Sequence, residues 1–338
     1  MSHSVMLPEW APCRAVLLAW PYPGGDWASN YTEVVESYWG ILAAIARAAP
    51  VWVLVHPSLD FSGFKAELEA RVIEGVVKVR NDIHYDDTWI RDYGPISCSK
   101  KLMSFTFDGW GGKYCAKADN QVALNLSDWL LFQPRSVDFV CEGGGLEVNA
   151  EQVLLANEEC VIDTKRNPKL HKEDVQNILR EYLGVKEFAW LQGICLTGDD
   201  TDGHIDTIAR FAPAGKTGCA VIYSGRNTLH HDASVLQSLH QQITVLAARW
   251  GWEVFELPTP IALSKVDGRL LPATYANFLI CNDCVFAPVY HLPEDDAALA
   301  VLKSAFPTFE IVPVYCAPLL EQHGSLHCAT MQVSTLAL

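Results

Sequence analysis

Residues 276–315 read ANFLICNDCVFAPVYHLPEDDAALAVLKSAFPTFEIVPVY. Two β-rich apolar runs, ANFLI and CVFAPVY, meet across Asn282-Asp283, a dipeptide suited to a tight hairpin turn. From Glu294 to Ala305 the apolar residues recur at three- and four-residue spacing, which predicts an amphipathic helix. EIVPVY then returns to strand composition. Cys281 and Cys284 form a CxxC, but they flank the predicted turn, and no second CxxC exists to complete a zinc site. A hairpin explains them better than a metal or redox role.

The same alternation extends outward. Helical patterns run over Tyr31 to Ala48, Asn120 to Leu131, His171 to Leu183 and Asp232 to Trp250. Short β-rich runs separate them: AVLLAW, VWVLV, ISCSKKLMSFTF, QVLLANEECV, TIARF and CAVIY. With Glu294 to Ala305, five principal helices divided among strands predict an α/β chain of about five similar modules, a period of roughly 65 residues that is too long for the usual solenoids. A further helical stretch, Phe61 to Arg71, breaks the regularity. No Pro- or Ser-rich linker interrupts the chain, so residues 1–338 are expected to form one domain. Gly143-Gly144-Gly145 leads into strand-like sequence and lacks the strand–loop–helix setting of a phosphate loop.

Composition narrows the function classes. Half of the residues are hydrophobic, enough to bury a large core. The formal net charge of −15 argues against nucleic acid as a partner and is compatible with a cationic small molecule. The sequence MSHSVMLPEWAPC shows no basic region followed by an apolar one, and no stretch approaches the roughly 18 apolar residues of a membrane span. Eleven scattered cysteines fit reduced thiols in the cytoplasm. A homo-oligomer is compatible with this composition.

Four segments concentrate polar residues among turns and strands: Asp86 to Pro95 (DDTWIRDYGP), Cys141 to Gly145 (CEGGG), Thr201 to Asp206 (TDGHID) and His323 to Cys328 (HGSLHC). If the chain through TIARF is extended, His204 and Asp206 project from one face, and Gly203 allows close approach. If Leu326 to Val333 is a strand, His327 faces away from Cys328 and a base for that thiol must come from elsewhere. Alone, Cys328 fits an inert buried thiol, Glu142 an exposed loop charge, and Asp92 a local ion pair with Arg91.

Taken together and in order, these segments change the reading. The chain resembles the agmatine deiminases and the related bacterial-type peptidyl-arginine deiminases, members of the guanidine-modifying superfamily. The resemblance runs from LPEWAPCRAVLLAWPYP through DTWIRDYGP, EGGG, ANEECVID, KRNPKL, DTDGHIDTIARF and LPATYANFLI to GSLHCATMQ. It implies a five-bladed, pseudo-symmetric α/β propeller. It also implies guanidinium-binding carboxylates at Asp92 and Asp206, a catalytic histidine at His204, an orienting glutamate at Glu142 and a nucleophile at Cys328. The implied substrate is agmatine, on a polyamine route, with peptidyl or free arginine as the alternative and an inactive cation-binding protein as the outlier. Neither metal nor organic cofactor is implied. Agmatine has an apolar tail, for which Trp89 and Trp110 are candidate lining residues. The sequence departs from the agmatine deiminase pattern at Tyr93 in RDYGP, Asp202 in DTDGHID and in HGSLHC, and these changes bear on recognition of the substrate's tail.

The residue types suit such a reaction. A guanidinium is planar, delocalised and cationic, and two carboxylates can fix its plane through its N–H groups. A thiol must ionise to attack it, which a bound cation favours.

Overall fold

The computed structural model describes residues 4–213 and 218–338. Residues 276–315 fold as their sequence predicts. Leu279–Cys281 pairs antiparallel with Cys284–Val289, with Cys281 opposite Cys284 and Asn282 in the left-handed region at φ 52°. The helix Asp295–Ala305 then carries the chain to Glu310–Tyr315, parallel to Cys284–Val289.

That plan of hairpin, helix and parallel strand recurs. Ile96–Cys98, Lys101–Thr106 and Arg135–Val140 form one such sheet, and Glu147–Val148, Val153–Asn157 and Glu187–Leu191 a second. Ala209–Ala212, Ala220–Ser224 and Glu253–Leu257 form a third. The last module joins the two ends of the chain. Thr330–Ser334 pairs antiparallel with Cys13–Ala19, which continues in parallel through Val51–Leu54 to Val77–Arg80. The described residues therefore hold five sheets of one pairing plan, plus a small ribbon of Ala262–Leu263 with Leu270–Leu271. The fold is mixed α/β. No described helix is long and apolar enough to cross a membrane.

Local chemistry sets the boundaries. Gly184 and Gly251 adopt left-handed φ of 66° and 71° and end the helices Lys172–Leu183 and Ala233–Trp250, positions where a side chain would be strained. Central strands such as Ala220–Ser224 and Val51–Leu54 are buried throughout, which explains their continuous apolar composition. Truncating one of these side chains, Ile222→Ala for example, should cost about 2–5 kcal/mol.

Some expected elements divide. The helix expected over Asn120 to Leu131 breaks at Leu126 into Asp119–Asn125 and Ser127–Leu130. ISCSKKLMSFTF is a hairpin, turning at Lys100 with φ 61°. Two differences touch the site. His204 to Thr207 is not extended, because Ile205–Thr207 forms a 3₁₀ turn before the strand Ala209–Ala212. The C-terminal strand begins only at Thr330, which leaves Cys328 in the preceding turn.

These turns are what position the site. Each module's first strand is preceded by a short turn carrying a polar residue: Asp92 in the helix Ile90–Tyr93, Glu142 ahead of the 3₁₀ turn Gly143–Gly145, Asp206, Asn277 and Cys328.

Candidate active site

Asp92, Glu142, His204, Asp206 and Cys328 are brought together, and all are buried, with exposures of 5, 2, 0, 1 and 6%. Gly144 shows how tightly three of them converge. A Cβ there would lie 2.6 Å from His204 Nδ1, 2.8 Å from Asp92 Oδ1 and 3.1 Å from Asp206 Oδ2, so no side chain fits.

Asp92 is held by neutral donors. The Gly144 amide donates to Oδ1 at 2.9 Å and Trp110 Nε1 donates to Oδ2 at 3.0 Å. Trp110 sits at φ 57°, ψ 55° between Gly109 and Gly111, a strained conformation for a large residue. That strain turns the indole toward Asp92 and makes Trp110 more than core filling. Burial raises the carboxyl's pKa; His204 works against this and Asp206 adds to it. Arg91 is no partner of Asp92. It points to the opposite side, toward Glu9 and Gln332.

Neither ring nitrogen of His204 makes a close hydrogen bond; Asp92, Glu142 and Cys160 are its polar neighbours. Asp92 Oδ1 stands 3.5 Å from Nδ1, and Glu142 Oε2 stands 3.9 Å from Nε2. Burial disfavours charge on the ring, but Asp92 and then other neighbours, Glu142 among them, more than offset it and hold the pKa well above its usual value. Glu142 is anchored by Arg166 Nε, at 2.8 and 3.1 Å from its two oxygens. Burial acts to raise its pKa, yet His204 and Arg166 hold it below the ordinary value. Arg166, from the KRNPKL stretch, is a site residue that the sequence did not single out.

Cys328 Sγ lies 3.6 Å from Asp206 Oδ2 and accepts from Asn277 Nδ2 at 3.2 Å. Burial first, then Asp206 and Asp92, push its pKa well up, so the thiol is the resting form. Asn277 also orients the turn, its Oδ1 accepting from the amides of His327 at 2.9 Å and Cys328 at 3.3 Å. Strand alternation does not apply to His327, which lies with Cys328 in a turn. In the turn its Nδ1 meets Asp206 Oδ2 at 2.7 Å. Burial tends to raise the Asp206 pKa; the His327 hydrogen bond and charge more than reverse this. His204 and Asp206 share the site as expected, but through a 3₁₀ turn and not by strand alternation.

A pocket opens over Cys328 and Asp92. Trp89 and Trp110 form its apolar walls, and Asp26, Asp87, Asp200, Tyr114, Thr201, Gln322, His323 and Gly324 complete it. Gly324 packs against Trp89 so closely that a Cβ there would come within 2.5 Å of the ring. Of the three departures noted in the sequence, only the HGSLHC stretch lines the pocket, through His323, Gly324 and Cys328; Tyr93 and Asp202 lie behind its lining. Tyr93 donates to the Asp87 carbonyl at 2.6 Å, His323 Nδ1 lies 2.7 Å from the Gly198 carbonyl, and Asp202 accepts from Lys113 at 3.0 Å and Arg166 at 2.9 Å. Asp87 is half-buried; desolvation, aided by Asp26 and Asp92, pushes its pKa up to about 7.

Among the described residues, Glu142, Cys160 and His204 are a group whose ligand atoms lie close enough to hold a metal ion, within 4.8 Å of one another. Arg166 already neutralises Glu142 there.

Comparison with known proteins places this arrangement among relatives. The family of Porphyromonas-type peptidyl-arginine deiminases matches residues 5–334. A solved structure provisionally named a peptidyl-arginine deiminase is 34% identical, with a TM-score of 0.90 over 99% of both chains. A substrate-bound cysteine-to-serine variant of C. jejuni agmatine deiminase is 30% identical, with a TM-score of 0.88 over 97% of this chain and 96% of that one. A protein of Shewanella baltica strain OS223, provisionally named an agmatine deiminase, is 30% identical over 96% of this chain and 92% of its own.

Proposed function

Because this chain belongs to the Porphyromonas-type peptidyl-arginine deiminase family, we propose that it hydrolyses a guanidinium C–N bond and that its substrate is agmatine. The five modules are read as blades of one pseudo-symmetric propeller spanning residues 1–338, with the polar turns facing its axis. The cytoplasm, where thiols stay reduced, suits a cysteine nucleophile.

The observation that carries agmatine is the charge of the pocket. Its lining includes Asp26, Asp87 and Asp200 and no Lys or Arg among the described residues. The cations nearby are engaged: Lys113 with Asp200 and Asp202, Arg166 with Glu142, Asp163 and Asp202. Such a pocket suits a substrate with a cationic end beyond an apolar tail, and offers nothing to a free carboxylate.

The guanidinium sits between Asp92 and Asp206, which accept its N–H groups. Its charge beside Cys328 works against the burial and the two carboxylates that raise the thiol's pKa, and the thiol proton leaves to solvent. The thiolate attacks the guanidinium carbon to give a tetrahedral adduct. His204, kept protonated by Asp92 and Glu142, gives its proton to the departing nitrogen, and ammonia leaves. An S-alkylthiouronium remains. The now neutral His204 takes a proton from water, whose hydroxide adds to the same carbon; collapse of that adduct expels the thiolate, and loss of the hydroxyl proton to solvent leaves N-carbamoylputrescine. Glu142, fixed by Arg166, holds the imidazole in place.

Ammonia and ureido-product release should be measured with agmatine, free arginine and a short arginine peptide. Turnover of agmatine well above both others is expected. Preference for either arginine substrate would favour citrulline formation, and inactivity on all three would favour a cation-binding protein without catalysis.

A further inference from the structure

Asp206 is gripped from behind by a group the mechanism does not use. His327 Nδ1 lies 2.7 Å from Asp206 Oδ2, and its Nε2 lies 2.5 Å from Glu9 Oε1. A carboxylate only accepts, so a ring between two of them must donate from both nitrogens. Glu9 is itself a hub. It accepts from Arg91 Nη1 at 3.2 Å, Arg210 Nη2 at 2.5 Å and Gln332 Nε2 at 3.0 Å. Arg210 Nε in turn donates to Glu147 at 2.7 Å. A ladder of alternating charge thus runs through the interior from Glu147 to Arg210, Glu9, His327 and Asp206.

The two oxygens of Asp206 are treated differently. Oδ2 receives His327 and the Cys328 thiol, whereas Oδ1 is buried and has no hydrogen-bond partner. A buried carboxylate oxygen left without a donor is costly, so a site that keeps one is built for a donor still to come. One oxygen is locked so that the other stays aimed.

We propose that His327, backed by Glu9, is a positioning residue: it fixes Asp206 through Oδ2 so that Oδ1 is presented as an ionised acceptor to the bound guanidinium. The N-terminal LPEW segment is thereby part of the site's support. This rests on the deiminase reading above.

The isosteric relationships of histidine supply the test. Asn can place its amide nitrogen near Nδ1, keeping the donor to Asp206 and losing Glu9. Gln reaches the Nε2 position, keeping Glu9 and abandoning Asp206. The groups facing Asp206 are His327 and Cys328 from the C-terminal turn, His204 from its own turn, Asp92 and Arg91 from the short helix, and Arg210 from the adjoining strand. His327→Gln removes from that set the donor to Asp206 Oδ2, which His327→Asn keeps. Its agmatine KM should rise about 10- to 100-fold, the worth of a hydrogen bond to a charged group, and the acid limb of kcat/KM should move to higher pH. His327→Asn should keep KM within about threefold of the parent, since the bond to Asp206 survives. Equal KM values and an unmoved acid limb in both variants would overturn the proposal. If His327→Gln does not fold, Glu9→Gln replaces it: a KM increase with a shifted acid limb supports the ladder, and parental values refute it. A parent inactive on every guanidinium substrate would instead refute the deiminase reading, so the two failures are distinguishable.

Discussion

Asp92 and Asp206 are the same chemical group, equally buried and close enough to influence one another, yet their surroundings treat them oppositely. Asp92 is held by a backbone amide and an indole N–H, neutral donors, and burial raises its pKa. Asp206 is backed by His327 and the charges behind it, and its pKa is lowered. Burial alone therefore does not decide whether a carboxylate is ionised; the charge of its second neighbour does. Asp206 is set as a standing anion, whereas Asp92 is completed by the protonated His204 and the arriving substrate.

The contrast can be broken at either end. Asp206→Asn should cost more than Asp92→Asn in kcat/KM for agmatine, on the order of 10³-fold against 10²-fold, because it also takes from His327 one of its two carboxylate partners. Steady-state kinetics check this, and the reverse ranking would mean that the charged support does not matter. Trp110→Phe removes one donor from Asp92 while keeping the apolar wall. It should lower kcat/KM about tenfold, mostly through KM, and leave Asp206-dependent behaviour unchanged. The smallest effect belongs to the pocket's outer acid. Asp87 binds its proton more tightly than an ordinary carboxyl, with a pKa of about 7. Its anion is therefore scarce below that pH and forms as pH rises through it. Agmatine KM should fall by about threefold or more between pH 6 and 8, and Asp87→Asn should flatten that dependence. A parental slope in the variant would place the tail's cation elsewhere.

Much of this was legible in the sequence, for different reasons in different places. Residues 276–315 gave up their hairpin, helix and strand directly because hydrophobic period and turn chemistry agreed there. The broken helix at Leu126 and the hairpin hidden in ISCSKKLMSFTF were not readable, since Lys100 occupies a turn position that usually advertises itself with Gly or Asn. The five polar residues were found through the family resemblance. Alternation along extended strands points His204 and Asp206 the same way and His327 away from Cys328, but these residues lie in turns, where alternation does not hold. Arg166, Asn277, Glu9 and His327 escaped because their roles depend on partners far along the chain: Glu9 meets His327 across 318 positions, and no local pattern records that. The GWGG stretch around Trp110 did carry a signal. Glycines on both sides of an aromatic residue mark backbone strain, which concentrates at functional sites.

The central claim is that Cys328 forms a covalent intermediate. Acid-quenching the enzyme during agmatine turnover, followed by peptide mapping by mass spectrometry, tests it directly. An adduct with the mass of agmatine less ammonia is expected on the peptide containing Cys328. Neither adduct nor ammonia is expected from Cys328→Ala, which should still bind agmatine. Sustained ammonia release by Cys328→Ala, or an adduct on another residue, would contradict the claim.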